Sequence, residues 1–316
     1  MLTARTRLFL RLAASLTLIL LLVFKVHWPV IFAVWGRLNV PWLLGASLLA
    51  PVMIVSLSMR WQVFLRQQQI VLPNRAVIRL TWAGQFFNSV LPGSTGGDVV
   101  KIYQACKMAP EKKAGAAASV IVDRFTALIA LVVLAGVSLC FGKALPDLSL
   151  KSLPGSPAIW LAGGLIGAAL AVFVFAKVIR SPHWVSRLRQ IATTLRTSFT
   201  PNRAFFIGLS TAFLVHLTNV ATFYAFAHAV GIQITYFQAL SFFPIVLFLL
   251  MIPVTINGHG LREMLLLFYF SHLHIALPAA SGGGPMESVL SLSLLGVAND
   301  LLWALPGGLW YMLTLA

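Results

Sequence analysis

The sequence contains six apolar stretches that are each long enough to cross a lipid bilayer. An α-helix rises 1.5 Å per residue, so about 20 apolar residues cross the roughly 30 Å of hydrocarbon in a bilayer. The stretches cover residues 8–26, 41–59, 115–141, 157–179, 204–230 and 288–315. They predict transmembrane helices, and no stretch between them is long enough to form a separate soluble domain.

The composition excludes several other classes of protein. Hydrophobic residues make up 59% of the 316 residues and charged residues only 9%. Soluble domains have about 45–50% apolar residues and about 25% charged residues. So few charges cannot cover a water-facing surface, which excludes a soluble enzyme, a disordered chain and a disulfide-stapled secreted domain. The net charge is +16, but no basic and aromatic face or nucleic-acid motif accompanies it. We therefore expect no nucleic-acid partner.

Two further apolar segments, 78–91 and 237–252, are too short for an ordinary crossing. Each runs into a proline and a glycine-rich polar loop, after which a second apolar segment begins. Basic residues flank the first segment on both sides, and Lys and Arg favour the cytoplasmic side of a membrane. That segment must therefore start and end on the same side. We predict two re-entrant helical hairpins, at about 78–113 and about 237–277.

The basic residues also orient the chain. Seventeen of the 23 fall in regions predicted to be cytoplasmic, and five fall in regions predicted to lie outside. Arg5, Arg7 and Arg11 precede the first stretch, and no small-residue cleavage site follows it, so we interpret it as a signal anchor. We predict a multi-pass membrane protein with both termini in the cytoplasm.

The two halves of the chain, 1–150 and 151–316, have the same predicted order of two crossings, one hairpin and one crossing. Three full crossings per half invert the second half relative to the first. Without gaps, Pro92 aligns with Pro253 and Lys101 with Arg262. Inverted repeats with interrupted helices are typical of secondary transporters. A coincidental match is the alternative in a chain with 23 Gly and 16 Pro. The predicted fold is therefore an all-α polytopic membrane protein with about six transmembrane helices and two re-entrant hairpins in an inverted repeat.

The two hairpin loops carry the candidate substrate-binding residues. Glycine lets a ligand approach the backbone, and a half-helix that begins in the loop directs N–H groups and its positive dipole end toward an anion. A basic residue near the start of each half-helix adds a cation, so a lipid phosphate is the anion we expect. The alternative is a structural helix break that its own polar residues cap. The candidates are Ser94, Thr95, Gly96, Gly97, Asp98, Lys101, Asn257, Gly258, His259, Arg262 and Glu263.

Ionisable residues inside membrane spans are costly and are functional candidates by default. Asp123, Arg124 and Asp300 lie in predicted crossings. They act either as coupling groups for protons or as members of a static ion-pair network. Gln85 and Asn88 share a face of the first hairpin helix. They either line a cavity or bond to a neighbouring helix.

The sequence contains no motif for ATP hydrolysis, for nucleophilic catalysis or for a zinc protease. We therefore expect no enzymatic activity, no cofactor and no metal site. His272 and His274 have no carboxylate-rich neighbours in the sequence. For His216 we expect a hydrogen bond between helices.

Residues 85–101, 118–124 and 252–263 together resemble the flippase-like family of the lysylphosphatidylglycerol synthase transmembrane region. The resemblance extends over about residues 8–315. It implies a multi-pass protein of the bacterial cytoplasmic (inner) membrane that moves an anionic phospholipid or lipid phosphate between the leaflets. The sequence contains no aminoacyl-transfer domain like that of the synthase members, so we expect no synthesis of aminoacyl lipids. Lys101 stands where arginine is also common, and His259 departs from a more glycine-rich loop.

A second function is compatible with the same features. A non-transporting accessory protein would bind a lipid or polyprenyl-phosphate intermediate for a partner glycosyltransferase or lipid-synthesising enzyme. A transporter of small ions or solutes is a third possibility, which would need a closed polar cavity. Membrane lipids are the expected partners in the first two cases, and the sequence leaves the oligomeric state open.

Overall fold

A computed structural model describes residues 32, 34–90, 96–141, 202–251, 260–277 and 285–314. All of its regular structure is helical, as the sequence predicted. The elements are α1 (Val40–Gln67), α2 (Asn74–Val90), α3 (Gly96–Met108), a short 3-10 turn (Pro110–Lys112), α4 (Lys113–Phe141), α5 (Arg203–Ala229), α6 (Tyr236–Leu250), α7 (Leu261–His272) and α8 (Pro285–Thr314).

Four of the described helices are long and apolar enough to cross a membrane. These candidate spans are Val40–Gln67, Pro110–Ser138, Arg203–Ala229 and Met286–Thr314. They correspond to four of the six predicted crossings. The other two, 8–26 and 157–179, lie outside the described residues, so the count of six stays a prediction.

One face of α1 carries the large apolar side chains expected of a helix that contacts lipid. Leu44, Leu48, Val52, Val55 and Met59 are each 42–61% exposed. They recur every three or four residues and therefore share one side of the helix. Such a continuous apolar surface is unfavourable in water and suits the hydrocarbon of a bilayer.

Helices α1 and α5 pack against each other in opposite directions. The Asn39 N–H at the start of α1 donates to the Ala229 carbonyl at the end of α5, at 2.9 Å. At the other end of the pair, Gly208 lies so close to the Phe64 ring that a Cβ at position 208 would overlap it. These contacts make α1 and α5, the corresponding helices of the two predicted halves, antiparallel.

The remaining helices pack in a pattern that the two halves share. Helix α2 packs on α1 and α8, and α6 packs correspondingly on α5 and α4. Helix α1 contacts α4, and the corresponding helix α5 contacts α8. Helix α3 also contacts α4, and the corresponding helix α7 contacts α8. An inverted repeat would produce this pattern, in which the corresponding helices of the two halves contact each other's equivalent partners. The repeat stays a prediction, because the first predicted crossing of each half lies outside the described residues.

Each half has its own apolar core. In the first half, Trp61 of α1 and Leu80 of α2 are fully buried in a cluster that also includes residues of α3 and α4. In the second half, Phe223, Phe242 and Phe270 join α5, α6 and α7. These cores hold each hairpin against the long helices of its own half.

The two predicted hairpins are present as pairs of contacting helices, α2 with α3 and α6 with α7. Gly97 of α3 lies so close to the backbone of Gly84 in α2 that a Cβ at position 97 would collide with it. Helix α7 ends at His272, earlier than the predicted 277, because the chain turns at His274, which has a φ of 49°. Insertion of the hairpins into the membrane from one side stays a prediction.

Candidate functional site

Five charged side chains gather where α1, α3 and α4 meet, and we call them the first-hairpin charge cluster. The cluster consists of Arg60, Asp98, Lys101, Asp123 and Arg124. Four of them were candidates from the sequence, and the structure brings these four together. Arg60 is new. The cluster has one more positive charge than negative charges, which favours an anionic ligand.

Arg60 and Asp123 form a buried, bidentate ion pair between α1 and α4. Arg60 Nε donates to Asp123 Oδ1 at 2.6 Å, and Nη2 donates to Oδ2 at 3.2 Å. The two side chains are only 3% and 5% exposed. Burial removes each charge from water, so the pair is stable only while both partners remain together. This geometry supports the static ion-pair interpretation of Asp123.

Arg124 forms a second bidentate pair, with Asp98 near the start of α3. Its Nε lies 2.6 Å from Asp98 Oδ2, and its Nη2 lies 2.8 Å from Oδ1. The Arg124 side chain is 50% exposed and that of Asp98 15% exposed. Although Asp123 and Arg124 are adjacent in sequence, one therefore faces the interior and the other a surface that a ligand can reach.

Lys101 lies inside the cluster, in the second turn of α3, where the sequence predicted a basic residue near the start of the half-helix. Its side chain is 7% exposed, and its Nζ lies 5.1 Å from the centre of the Trp61 ring. The ring is itself held by a hydrogen bond from Trp61 Nε1 to Ser119 Oγ at 3.1 Å. Lys101 also interacts electrostatically with Asp123 and Asp98. A desolvated cation over a tryptophan face gains about 2 kcal/mol, which helps to hold the ammonium group there.

The start of α3 is capped by the preceding helix. The Gly97 N–H donates to Asn88 Oδ1 at 2.8 Å, and Asn88 Nδ2 donates to Gln85 Oε1 at 3.4 Å. Asn88 therefore bonds to the neighbouring helix, one of its two predicted roles, whereas its contact with Gln85 lies within α2. The Gly97 N–H already has a partner, so the expectation that this amide contacts a ligand does not hold in this arrangement. Ser94 and Thr95 lie outside the described residues.

The polar residues of the second hairpin bond mainly to each other and to α8. Arg262 Nη2 donates to the Ser293 carbonyl at 3.2 Å and also to its hydroxyl. Glu263 accepts hydrogen bonds from the Gly260 N–H at 2.6 Å and from the Ser293 hydroxyl. Arg262 Nε is 3.5 Å from Glu263 Oε1, which is a charge contact too long for a strong hydrogen bond. Asn257, Gly258 and His259 lie outside the described residues.

The two hairpins differ in charge. Asp300 lies on an exposed position of α8, with Arg262 as its electrostatic neighbour. It forms no ion pair with another described residue, whereas Asp123, which lies in the last predicted crossing of the first half, is fully paired. Arg262, Glu263 and Asp300 together carry one more negative charge than positive charges. An anion is therefore better accommodated at the first hairpin than at the second.

Several polar contacts that the sequence did not reveal connect the first hairpin to α8. Trp82 Nε1 donates to the Trp303 carbonyl. Gln104 Nε2 donates to the Tyr311 hydroxyl at 3.2 Å. These residues belong to different halves, more than 200 positions apart, so no local pattern could have paired them. The predicted helix-to-helix hydrogen bond of His216 is confirmed, because its Nε2 donates to the Ala127 carbonyl at 3.0 Å.

An open cavity of about 500 Å³ lies at the end of α7 and is lined mainly by apolar side chains such as Leu267, Phe270 and Ile275. No member of the first-hairpin charge cluster lines it. Among the described residues, no three His, Cys, Asp or Glu side chains come together in a group that could hold a metal ion. The chemistry of the described residues is therefore concentrated in the charge cluster.

Comparison with known proteins supports the family resemblance that the hairpin motifs suggested. The family model described as the lysylphosphatidylglycerol synthase TM region matches residues 8–297. No curated protein and no solved structure shows a significant match to the chain. The family match covers most of the chain and includes both hairpins and the charge cluster. The protein is therefore a multi-pass membrane protein that belongs to the family of the lysylphosphatidylglycerol synthase transmembrane region.

Proposed function

We propose that the protein moves an anionic phospholipid or lipid phosphate between the leaflets of the bacterial inner membrane and catalyses no covalent reaction. The observation that carries this proposal is the first-hairpin charge cluster. Arg60 lies seven residues before the end of α1 and Asp123 ten residues after the start of α4. At 1.5 Å per residue, the cluster lies about 10–15 Å from those helix ends. Arg60 and Asp123 are also almost fully buried, and charges buried within an apolar helical bundle are costly and are kept mainly for function.

The surface next to the cluster suits a molecule with a charged head and apolar chains. Arg124 is half exposed, and the exposed side chains that follow it on α4 are apolar. Phe125, Ile129, Val133 and Val137 recur every four residues and are 37–48% exposed. A phosphate at Arg124 would leave acyl chains beside this row, where they remain in contact with lipid.

The arrangement of the helices also supports transport. Helices α1 and α5 are antiparallel, and the contacts of the two hairpins are exchanged between the halves. In transporters with inverted repeats, movement of one repeat against the other opens a central site to alternate sides. Family membership supports a lipid as the substrate, because the family name links the family to lipid metabolism.

Leaflet exchange in reconstituted vesicles tests the proposal. Full-length protein is incorporated into vesicles that contain fluorescent phosphatidylglycerol, and a membrane-impermeant quencher reports the fraction in the outer leaflet over time. We expect faster exchange than in empty vesicles, and Lys101→Ala should reduce the rate by about tenfold or more, since it removes a buried cation from the cluster. Lys107→Ala is the matched control, because Lys107 lies on the same helix at an exposed position.

Two outcomes would count against lipid translocation. If wild-type protein exchanges no class of lipid faster than empty vesicles, the transport proposal fails. If it binds the lipid stably without exchange and co-purifies with a lipid-modifying enzyme in mild detergent, the accessory role explains the data better.

A further inference from the structure

We propose that Asp98 and the substrate phosphate compete for the same edge of Arg124, and that Arg124 exchanges the Asp98 carboxylate for the phosphate when a lipid enters. This inference rests on the proposed function and deepens it. It names Arg124 as the residue that binds the anion and Asp98 as an internal competitor that determines which anions are accepted.

The first argument is the difference between the two neighbouring Arg–Asp pairs. Both pairs are bidentate, but Arg60 and Asp123 are almost fully buried, whereas Arg124 is half exposed. Separating the Arg60–Asp123 pair leaves an uncompensated charge inside the protein, whereas the half-exposed Arg124 can turn toward an incoming anion that replaces its partner. Of the two pairs, the one between Arg124 and Asp98 is the one able to open.

The second argument is the chemical match between a carboxylate and a lipid phosphate. Arg124 uses Nε and Nη2 to contact both Asp98 oxygens, at 2.6 and 2.8 Å. A phosphate diester also presents two charged oxygens, and this edge of the guanidinium binds either group in the same way. Asp98 is the third residue of α3, where a negative charge interacts favourably with the helix dipole. A phosphate at the same place would keep that interaction.

The third argument is an unused hydrogen-bond donor in the cluster. Arg60 Nη1 is buried, and no described residue accepts a hydrogen bond from it. Lys101 adds a positive charge in the same cluster. The Asp98 carboxylate interacts electrostatically with Lys101 but leaves Arg60 Nη1 without an acceptor. Each non-bridging oxygen of a phosphate diester has more lone pairs than a carboxylate oxygen, so it can also accept a hydrogen bond from a donor that Asp98 leaves unused.

The apolar row on α4 distinguishes two possible sources of the phosphate group, a phospholipid and free inorganic phosphate. Free phosphate can use only the charged groups. A phospholipid also places its chains along Phe125, Ile129 and Val133, which follow Arg124 on α4. We therefore expect phosphatidylglycerol to bind more tightly than inorganic phosphate.

The test measures lipid binding to the full-length protein in nanodiscs of neutral lipid. Phosphatidylglycerol is titrated in one series and inorganic phosphate in another, with tryptophan fluorescence as the readout. Asp98→Asn removes the competing charge and keeps the side-chain shape, so affinity for phosphatidylglycerol should rise about two- to fivefold. Arg124→Lys keeps the charge but loses the two-point contact, so affinity should fall about tenfold. Glu111→Gln, at an exposed position outside the cluster, is the control with the same change in net charge.

The inference is falsifiable because Asp98→Asn and Arg124→Lys are expected to change the affinity for phosphatidylglycerol in opposite directions. If Asp98→Asn weakens binding as Arg124→Lys does, Asp98 positions Arg124 and does not compete, and the inference is wrong. Equal binding of all variants, or equal affinity for inorganic phosphate and phosphatidylglycerol, also overturns it. Asp98→Ser is measured beside Asp98→Asn, so that a folding defect in one variant does not decide the result. These binding data are independent of leaflet exchange, so failure of transport and failure of the exchange between Asp98 and phosphate remain distinguishable.

Discussion

The buried pair between Arg60 and Asp123 allows a quantitative test of what holds the first hairpin region together. Replacing Asp123 with leucine leaves the Arg60 guanidinium buried without its counter-charge. The side chains are 3% and 5% exposed and share two hydrogen bonds, at 2.6 and 3.2 Å. Removing one partner of such a pair costs about 3–5 kcal/mol. Since 1 kcal/mol moves the melting temperature of a 150–250-residue domain by about 2–4 °C, we expect Tm to fall by roughly 10 °C.

Two further variants separate the effect of charge from that of packing. In the double variant Arg60→Met with Asp123→Leu, both charges are replaced by apolar groups, so most of the lost stability should return. Arg124→Met is the matched control, because it breaks the adjacent bidentate pair at a half-exposed position. A pair with one half-exposed partner should contribute less than a fully buried pair, so this variant should lower Tm by less than Asp123→Leu does.

Thermal unfolding of the full-length protein in detergent, followed by intrinsic tryptophan fluorescence, measures all four proteins under one condition. The reasoning is refuted if Asp123→Leu lowers Tm no more than Arg124→Met does. It is also refuted if the double variant is as unstable as the single one, because the loss would then come from packing and not from an unpaired charge.

Two other predictions concern packing and orientation. Gly97→Ala should destabilise the protein by about 1–3 kcal/mol, because its Cβ would collide with the Gly84 backbone. Gly136→Ala, whose Cβ would have no atom within 4 Å, should leave Tm unchanged or slightly higher; equal Tm values for the two variants would contradict the close hairpin contact. In a Cys140→Ala background, the partly exposed Cys106 should react with a membrane-impermeant maleimide in inside-out vesicles only. Labelling only in right-side-out vesicles would reverse the predicted topology.

The sequence predicted the four described long helices to within a few residues at most of their ends. The exception is the end of α1, which was predicted at 59 but continues to Gln67. That difference explains why Arg60, which lies just beyond the predicted end of the crossing, was not recognised as a partner of Asp123. The signal that points to a continued helix is the spacing of Trp61, Phe64 and Leu65, which lie on one face and are fully buried.

The residues of the site were easier to predict than their roles. Asp98, Lys101, Asp123 and Arg124 were candidates because charges are rare in apolar segments. Their pairing was not predictable, because Asp123 and Arg124 are neighbours in sequence and yet have different partners. Asn88 shows the same limit, since helical spacing placed it on a face with Gln85 but did not show that it accepts the Gly97 N–H.

The sequence by itself therefore determined that this is a helical membrane protein with two glycine-rich hairpins and a small set of charged candidates. Those features are local, because each backbone group in a membrane span must bond within its own helix and each span must have a minimum apolar length. Only the tertiary structure decided which charges are paired and which can be reached. Arg60 and Asp123 are 63 positions apart, and their contact depends on the faces that α1 and α4 present to each other. That choice is made by the packing of all the helices together, which no single segment encodes.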